Sequence, residues 1–381
     1  MTLDEQTGNQ LTTALSPVVV AFDAAPLLSA RTGVGEAVDM MQRHLALRDD
    51  VEMRPYVCSF RGQLQPGMKR LPIPAAVGQM LWSRVGWPRM DHWLHDAHVV
   101  HGTNYVVPPS RAAQVVTVYD CWFLREPDQA SPAVARAGEV LRAAVQRGAT
   151  VHASSQATGN AVRELLHTNR VEVIGLGPLP RPVINPADMH SPSPELLSKP
   201  FILALGTLER RKNLTAMVRA FAQLSGTNKD LHLVLAGADG DDVPAIEHAI
   251  QGLDSSQRSR IIRPGRVTEK EKAWLLYHAM VLGYPSLDEG FGFPLLEAMR
   301  YRLPIVASNA GSIPEVAGAA ARLVAPDDID ALASELQTVV DDASLRDQLI
   351  CAGQQQLALF SWDHTAEQLA CLYQRLAQEH S

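Results

Sequence analysis

Short apolar runs alternate with longer amphipathic stretches along almost the whole chain. The runs at 18–22, 98–101, 114–119, 150–153 and 171–174 are rich in valine and too short for helices, so they predict buried strands. Between them, apolar residues recur at helical spacing over 36–47, 132–147 and 156–167. Strand and helix in alternation predict a parallel sheet covered on both faces. The rhythm breaks over 178–200, where Pro178, Pro180, Pro182, Pro186, Pro192, Pro194 and Pro200 crowd together. Proline cannot continue a helix or a central strand, so this stretch reads as a linker. A second series then begins, with strands predicted at 201–205, 231–236, 261–262, 280–283, 305–307 and 322–323. Its helices fall near 213–224, 243–252, 268–278, 293–301 and 329–340, and a last one runs from Trp362 to about residue 378. The fold class is therefore α/β, with two doubly wound domains facing across a cleft. The expected division is a polar tail (1–16), a first domain (17–180), the linker (181–200), a second domain (201–360) and a terminal helix (361–381).

Composition supports this and narrows the partners. A chain of 381 residues with 46% hydrophobic content is too long for one ordinary core and apolar enough for two. Its formal net charge of −7 leaves no global basic footprint, so no nucleic-acid partner is expected. Cys58, Cys121, Cys351 and Cys371 are scattered without a C-x-x-C pair, which suggests neither a zinc site nor a disulfide framework and suits a reducing cytoplasm. Residues 1–16 lack a basic, then apolar, leader pattern, and no apolar run is long enough to span a bilayer. Trp82, Trp87 and Trp93 sit among Lys69, Arg70, Arg84 and Arg89, a mixture that suits either contact with anionic lipid or packing onto the sheet.

The densest chemistry lies at 284–299. Glu289 and Glu297 flank a Gly-Phe-Gly-Phe-Pro turn, and Pro294 suits the first position of a helix. Gly290 and Gly292 let backbone approach a ligand, and the helix start beyond them offers unpaired N–H groups to a phosphate. After the first strand of the second domain comes Gly206-Thr-Leu-Glu-Arg-Arg-Lys-Asn-Leu, which places Arg211 and Lys212 at a strand-to-helix turn with Asn213 as the expected cap. An arginine fork beside a lysine suits a diphosphate.

These segments resemble the donor site of retaining GT-B glycosyltransferases, specifically glycosyltransferase family 4. The resemblance spans nearly the whole chain and is stronger from about 201 to 330. It implies two Rossmann-like domains, with the last helix crossing back onto the first. It assigns the donor sugar hydroxyls to Glu289, the ribose to Glu297 and the diphosphate to the amides of Gly290, Phe291 and Gly292. Arg211 and Lys212 would stabilise the leaving group. Thr207 stands where many members carry an arginine. Val267, in Arg-Pro-Gly-Arg-Val, matches a turn that meets the base, and Gly33 and Gly35 match amides facing the phosphates from across the cleft. Asp120 is an expected catalytic residue of the cleft, Arg125 and Tyr119 are expected on its acceptor side, and Tyr119 replaces a histidine common in relatives. His101, ending a strand, is a candidate for the acceptor side. No metal is expected: the triplet spacing of His92, His95, His98 and His101 crosses from helix to strand, and Asp239-Gly-Asp241 reads as a polar loop.

The implied activity is retaining, metal-independent transfer of a hexose from a nucleotide-diphosphate sugar, a co-substrate rather than a cofactor, to a glycan or lipid-linked hydroxyl. The form of the Gly206–Leu214 segment resembles bacterial mannosyltransferases of polysaccharide pathways, so GDP-mannose leads, with UDP- and dTDP-sugars beside it. A catalytically silent nucleotide-sugar binder is the rival from another class. The expected location is cytoplasmic, with peripheral contact at the inner face of the membrane.

Overall fold

The computed structural model describes residues 16–28, 32–60, 62–94, 96–180, 184–226 and 228–380. Most of the polar tail, Arg31, His95 and the start of the linker, with Pro182, lie outside these described residues. Two parallel sheets dominate. The first contains β1 (Val18–Asp23), β2 (Val51–Val57), β3 (Lys69–Arg70), β4 (Val99–Gly102), β5 (Ala113–Val118), β6 (Thr150–Ala153) and β7 (Val171–Val173). Its order is β3-β2-β1-β4-β5-β6-β7. The second contains β8 (Phe201–Leu205), β9 (His232–Ala236), β10 (Ile261–Gly265), β11 (Val281–Tyr284), β12 (Ile305–Ser308) and β13 (Ala321–Val324), in the order β10-β9-β8-β11-β12-β13. Strand order reverses between β1 and β4 and again between β8 and β11. In open α/β sheets the carboxyl ends of strands at such switch points are where ligands bind.

The hydrophobic pattern located every strand but β2 and β3. Glu52, Arg54 and Pro55 break the apolar run of β2, and β3 is a basic dipeptide. Pro55 is tolerated because β2 meets β3 only at Tyr56 and Val57, so the missing N–H costs no ladder bond on that side.

The last helix, Trp362–Glu379, crosses to the first sheet and buries Leu369, Tyr373 and Leu376. Trp362 Nε1 donates to the Pro178 carbonyl at 2.8 Å, and the Thr365 hydroxyl donates to that of Gly175 at 2.8 Å. This helix accounts for His101, which does not line a cleft. The imidazole is fully buried, with Nδ1 2.6 Å from the Tyr373 hydroxyl and Nε2 2.7 Å from that of Thr117. Burial and the neighbouring His152 hold its pKa well below the ordinary range, so it stays neutral. One continuous core joins β1, β8, the 291–299 region and the final helix, so both lobes share apolar packing.

Candidate functional site

The site begins where β11 ends. The chain leaves Tyr284, passes a buried Ser286, Asp288 and Glu289, and turns at Gly292, whose φ of +90° suits glycine. The helix Phe293–Arg300 follows, with Pro294 in its first turn. Opposite, β8 feeds a short turn, Arg210–Lys212, and Asn213 adopts a left-handed conformation before the helix Leu214–Leu224. Asn213 does not cap that helix through its side chain. Its amide donates instead to the Pro285 and Pro326 carbonyls at 3.2 and 2.8 Å, lashing the two turns together.

Across this junction Glu289 accepts from Arg211 Nη1 at 2.7 Å and from Lys212 Nζ at 2.5 Å. Lys212 also reaches the Tyr284 hydroxyl at 3.0 Å. Burial pushes the Glu289 carboxyl upward, but Lys212 and Arg211 outweigh it and hold the acid at about 2. Burial works against the Arg211 charge too, and Glu289 and Asp120 more than restore it. In this form Glu289 is therefore the counter-ion of the two cations, a position different from one holding sugar hydroxyls. An incoming anion has to share the cations with it.

Glu297 sits apart, in the helix Phe293–Arg300, where it accepts from Lys272 Nζ at 2.8 Å. Lys272 belongs to the helix Glu269–His278, which opens with a Thr268–Glu271 capping box directly after the half-buried Val267. Its relevance was invisible in the sequence, because nothing near position 272 resembles a site and only the fold brings it to Glu297. Thr207, also half-buried, lies just beyond the end of β8.

The first lobe closes over the glycine loop. A Cβ on Gly290 would overlap the Tyr119 carbonyl, so only glycine permits this approach. The Ser154 hydroxyl lies 3.1 Å from the Tyr119 carbonyl and 3.2 Å from that of Gly290, and the Thr158 hydroxyl spans the same pair at 3.0 and 3.2 Å. Arg125 Nη1 meets Asp288 at 3.0 Å. Glu315 accepts from the Gln156 backbone N–H at 2.9 and 3.1 Å, so one lobe's carboxylate sits at the start of the other's helix Gln156–Leu166. Gly33, at the start of the helix Gly33–Ala46, lies against the Phe293 ring, while Gly35 donates to the capping Thr32 hydroxyl. Phe291 is buried against Phe293 and Phe360. The space enclosed by Asp120, Arg125, Asp288 and Glu289 is about 20 Å³, too little for a sugar. The lobes meet tightly here, and a sugar entering this space would need them to part.

Tyr119 differs from the expected cleft wall. Its ring is buried edge-on to Tyr105, its hydroxyl has no hydrogen-bond partner among the described residues, and burial raises its pKa further. The acids of the Asp239–Asp241 loop are tied to the arginine segments, Asp239 to Arg263 at 3.4 Å and Asp241 to the Arg210 N–H at 3.0 Å. Among the described residues no group of three or more His, Cys, Asp and Glu side chains is arranged to hold a metal ion. The fold thus gathers Arg211, Lys212, Glu289, Gly290, Asp120 and Arg125 at one interlobe junction. Glu297 and Val267 stand to one side of it, and neither His101 nor the Tyr119 phenol reaches it.

The second-lobe side of this junction, Arg211, Lys212, Glu289 and Gly290, lies inside the segment matched by the family described as Glycosyl transferases group 1, which covers residues 188–356. The chain carries a group 1 glycosyltransferase domain. Over 94% of its length it is 25% identical to O-antigen chain mannosyltransferase B of Escherichia coli, all of which is covered. A serotype-specific mannosyltransferase, WbdA, of Escherichia coli is 31% identical over 47% of this chain, but only 22% of that longer protein is covered. Among solved structures, sucrose-phosphate synthase from Thermosynechococcus elongatus superposes with a TM-score of 0.69 at 19% identity, covering 94% of this chain and 99% of its own. Anabaena HepE in complex with UDP gives 0.68 at 18% identity, covering 93% and 99%. At such identities these structures establish the GT-B fold, in which the transferase domain supplies one wall of the cleft and the first lobe the other.

Proposed function

We propose that the chain is a retaining, metal-independent hexosyltransferase that moves mannose from GDP-mannose to a hydroxyl of a glycan or lipid-linked saccharide in cell-envelope polysaccharide or glycolipid synthesis. The observation that carries the reading is the Arg211–Lys212–Glu289 cluster beside the Gly290–Gly292 loop. The donor's diphosphate displaces Glu289 from the two cations and takes their charge as the bond from the anomeric carbon to the phosphate breaks. Charge placed in advance where it develops is usually the largest catalytic contribution. The freed Glu289 carboxylate then faces the donor sugar, and Glu297, steadied by Lys272, faces the ribose. The acceptor hydroxyl bonds to the anomeric carbon on the face the diphosphate leaves, and its proton passes to a diphosphate oxygen. Two protein cations at the diphosphate support a route that needs no metal. The names of the mannosyltransferase relatives support the sugar, and peripheral work at the inner face of the membrane fits a lipid-linked acceptor.

A screen of GDP-mannose, UDP-glucose and dTDP-glucose tests this, reading nucleoside diphosphate release with and without EDTA and the anomeric configuration of the product by NMR. Lys212→Ala is expected to lower turnover by about 100-fold or more. An inverted anomer, loss of activity in EDTA or unchanged turnover in Lys212→Ala would each overturn part of the reading.

A further inference from the structure

A separate cavity of about 260 Å³ opens in the first lobe at the carboxyl ends of β1 and β2. Its polar wall is Asp23, Tyr56, Cys58, Gln79 and Asn104, and Trp82 contributes to the apolar floor. Asp23 and Tyr56 are register partners on adjacent parallel strands, so their side chains leave the same face of the sheet side by side. Both residues are more than nine-tenths buried. One Asp23 oxygen accepts from the Ala25 N–H at 3.0 Å, and among the described residues no cationic side chain lines the cavity. The Tyr56 hydroxyl has no hydrogen-bond partner among the described residues. A buried acid without a cation beside an unpaired phenol is costly unless a ligand completes both.

The lining limits what that ligand is. A phosphate would meet Asp23 with no arginine, lysine or histidine among the described lining residues to offset it. A purely apolar group would leave the carboxyl and the phenol unpaired. A polyol satisfies them, because each hydroxyl donates and accepts, and neighbouring hydroxyls match neighbouring residues. Burial raises the Asp23 acid to about 7, so near neutrality it too both donates and accepts.

The cavity also lies next to the transfer junction. The Pro26 carbonyl on its rim packs against Gly35, and Gly33 of the same turn packs against Phe293 of the donor-loop helix. The first turn of the helix Gly33–Ala46 therefore touches both the cavity rim and the donor-loop helix.

We propose that this cavity seats the acceptor: it takes one neutral, unphosphorylated sugar ring, with Asp23 and Tyr56 holding adjacent hydroxyls. The assignment to the acceptor rests on the transferase reading above; the preference for a neutral polyol rests on the lining alone.

Saturation-transfer NMR on the full chain, with methyl α-mannoside and other neutral methyl glycosides, mannose 6-phosphate and glucosamine as probes, tests the site directly. A neutral glycoside should bind, and Asp23→Asn and Tyr56→Phe should each weaken it by about ten-fold or more. With the donor present, the same variants should raise KM for the acceptor by about ten-fold and move KM for the donor by less than about two-fold. Tyr56→Phe removes one oxygen only and serves as the readout if Asp23→Asn fails to fold. Three results would overturn the proposal: no neutral glycoside bound, binding indifferent to both substitutions, or tighter binding of the phosphorylated or amino sugar. A chain that binds the glycoside through Asp23 and Tyr56 yet turns over no donor would uphold the polyol site and refute the transferase reading instead.

Discussion

Glu289 and Asp23 are carboxyls just past or at strand ends, both nearly shut off from solvent, and burial pushes both pKa values upward. Their neighbours decide the outcome. Lys212 and Arg211 bring Glu289 down to about 2, so it stays charged through any working pH. Asp23 has only the Ala25 N–H to oppose burial and remains at about 7. That asymmetry matches their proposed tasks, a permanently charged carboxylate that yields its cations to the diphosphate in one case and a hydroxyl-binding acid in the other. It also has a stability consequence. In the unfolded chain Asp23 titrates near its ordinary value of about 3.9. Between about pH 4 and 7 the folded state therefore holds a proton the unfolded state has lost, and this residue's contribution to stability declines as pH rises through that window. The ceiling is on the order of 4 kcal/mol for a shift of about three units. Asp23→Asn keeps an acceptor for the Ala25 N–H and never ionises. It should melt a few degrees above the wild type at pH 8, and the gap should close towards pH 4. Thermal melts at the two pH values decide it; a gap that is constant or widest at pH 4 refutes the assigned titration.

At the scale of elements, the loop 289–292 and the strand-end segments facing it form the working joint. Its composition was legible in sequence because glycines, paired acids and adjacent cations in order are rare by chance, and each sits at a strand-to-helix turn where hydrophobic periodicity already predicted a boundary. What was not legible came from elsewhere in the chain. Lys272 reaches Glu297 only through the packing of its helix, and Ser154 and Thr158 grip the loop from the other lobe. His101 was misassigned because its partner Tyr373 lies on the terminal helix, and nothing local to position 101 reveals that the strand end is covered. The β2 strand was hidden by charges and a proline that only a near-edge position allows. The joint's dependence on close backbone approach gives a sharp test. Gly290→Ala sets a Cβ against the Tyr119 carbonyl and should prevent closure while leaving each lobe folded. Transfer should fall by about 100-fold, with a larger radius of gyration in small-angle scattering and little change in melting temperature. A fully active, equally compact variant would show that closure is not required.

Across the whole molecule, the first lobe carries a feature the second lacks. Phe60, Leu64, Val77, Met80, Val85, Trp87 and Trp93, all from one segment, are substantially exposed, whereas Trp82 between them is fully buried. The same segment, 60–93, holds five basic residues and one acidic residue, Asp91, in a chain of net charge −7. Exposed Arg84 and Arg89 flank the apolar side chains. A local reversal of charge around protruding indoles and aliphatics complements an anionic bilayer surface. None of the helices among the described residues is long and apolar enough to cross a membrane, so the contact would be peripheral. The helix Ala75–Arg84 connects this surface to the polyol cavity: Ala75, Gln79 and Trp82 line the cavity, while Val77 and Met80 face outward. A lipid-linked acceptor held at the bilayer would thus find the cavity on the inner side of the same helix. In flotation assays the wild type should rise with vesicles containing about 30% anionic lipid and be released by high salt, since surface charge is screened within about 10 Å at 0.1 M. Trp87→Ala with Met80→Ser should lose most of the bound fraction, and turnover of a soluble methyl glycoside acceptor should persist. If the wild type stays at the bottom of the gradient, or the double variant floats equally well, the acceptor reaches the cavity from solution.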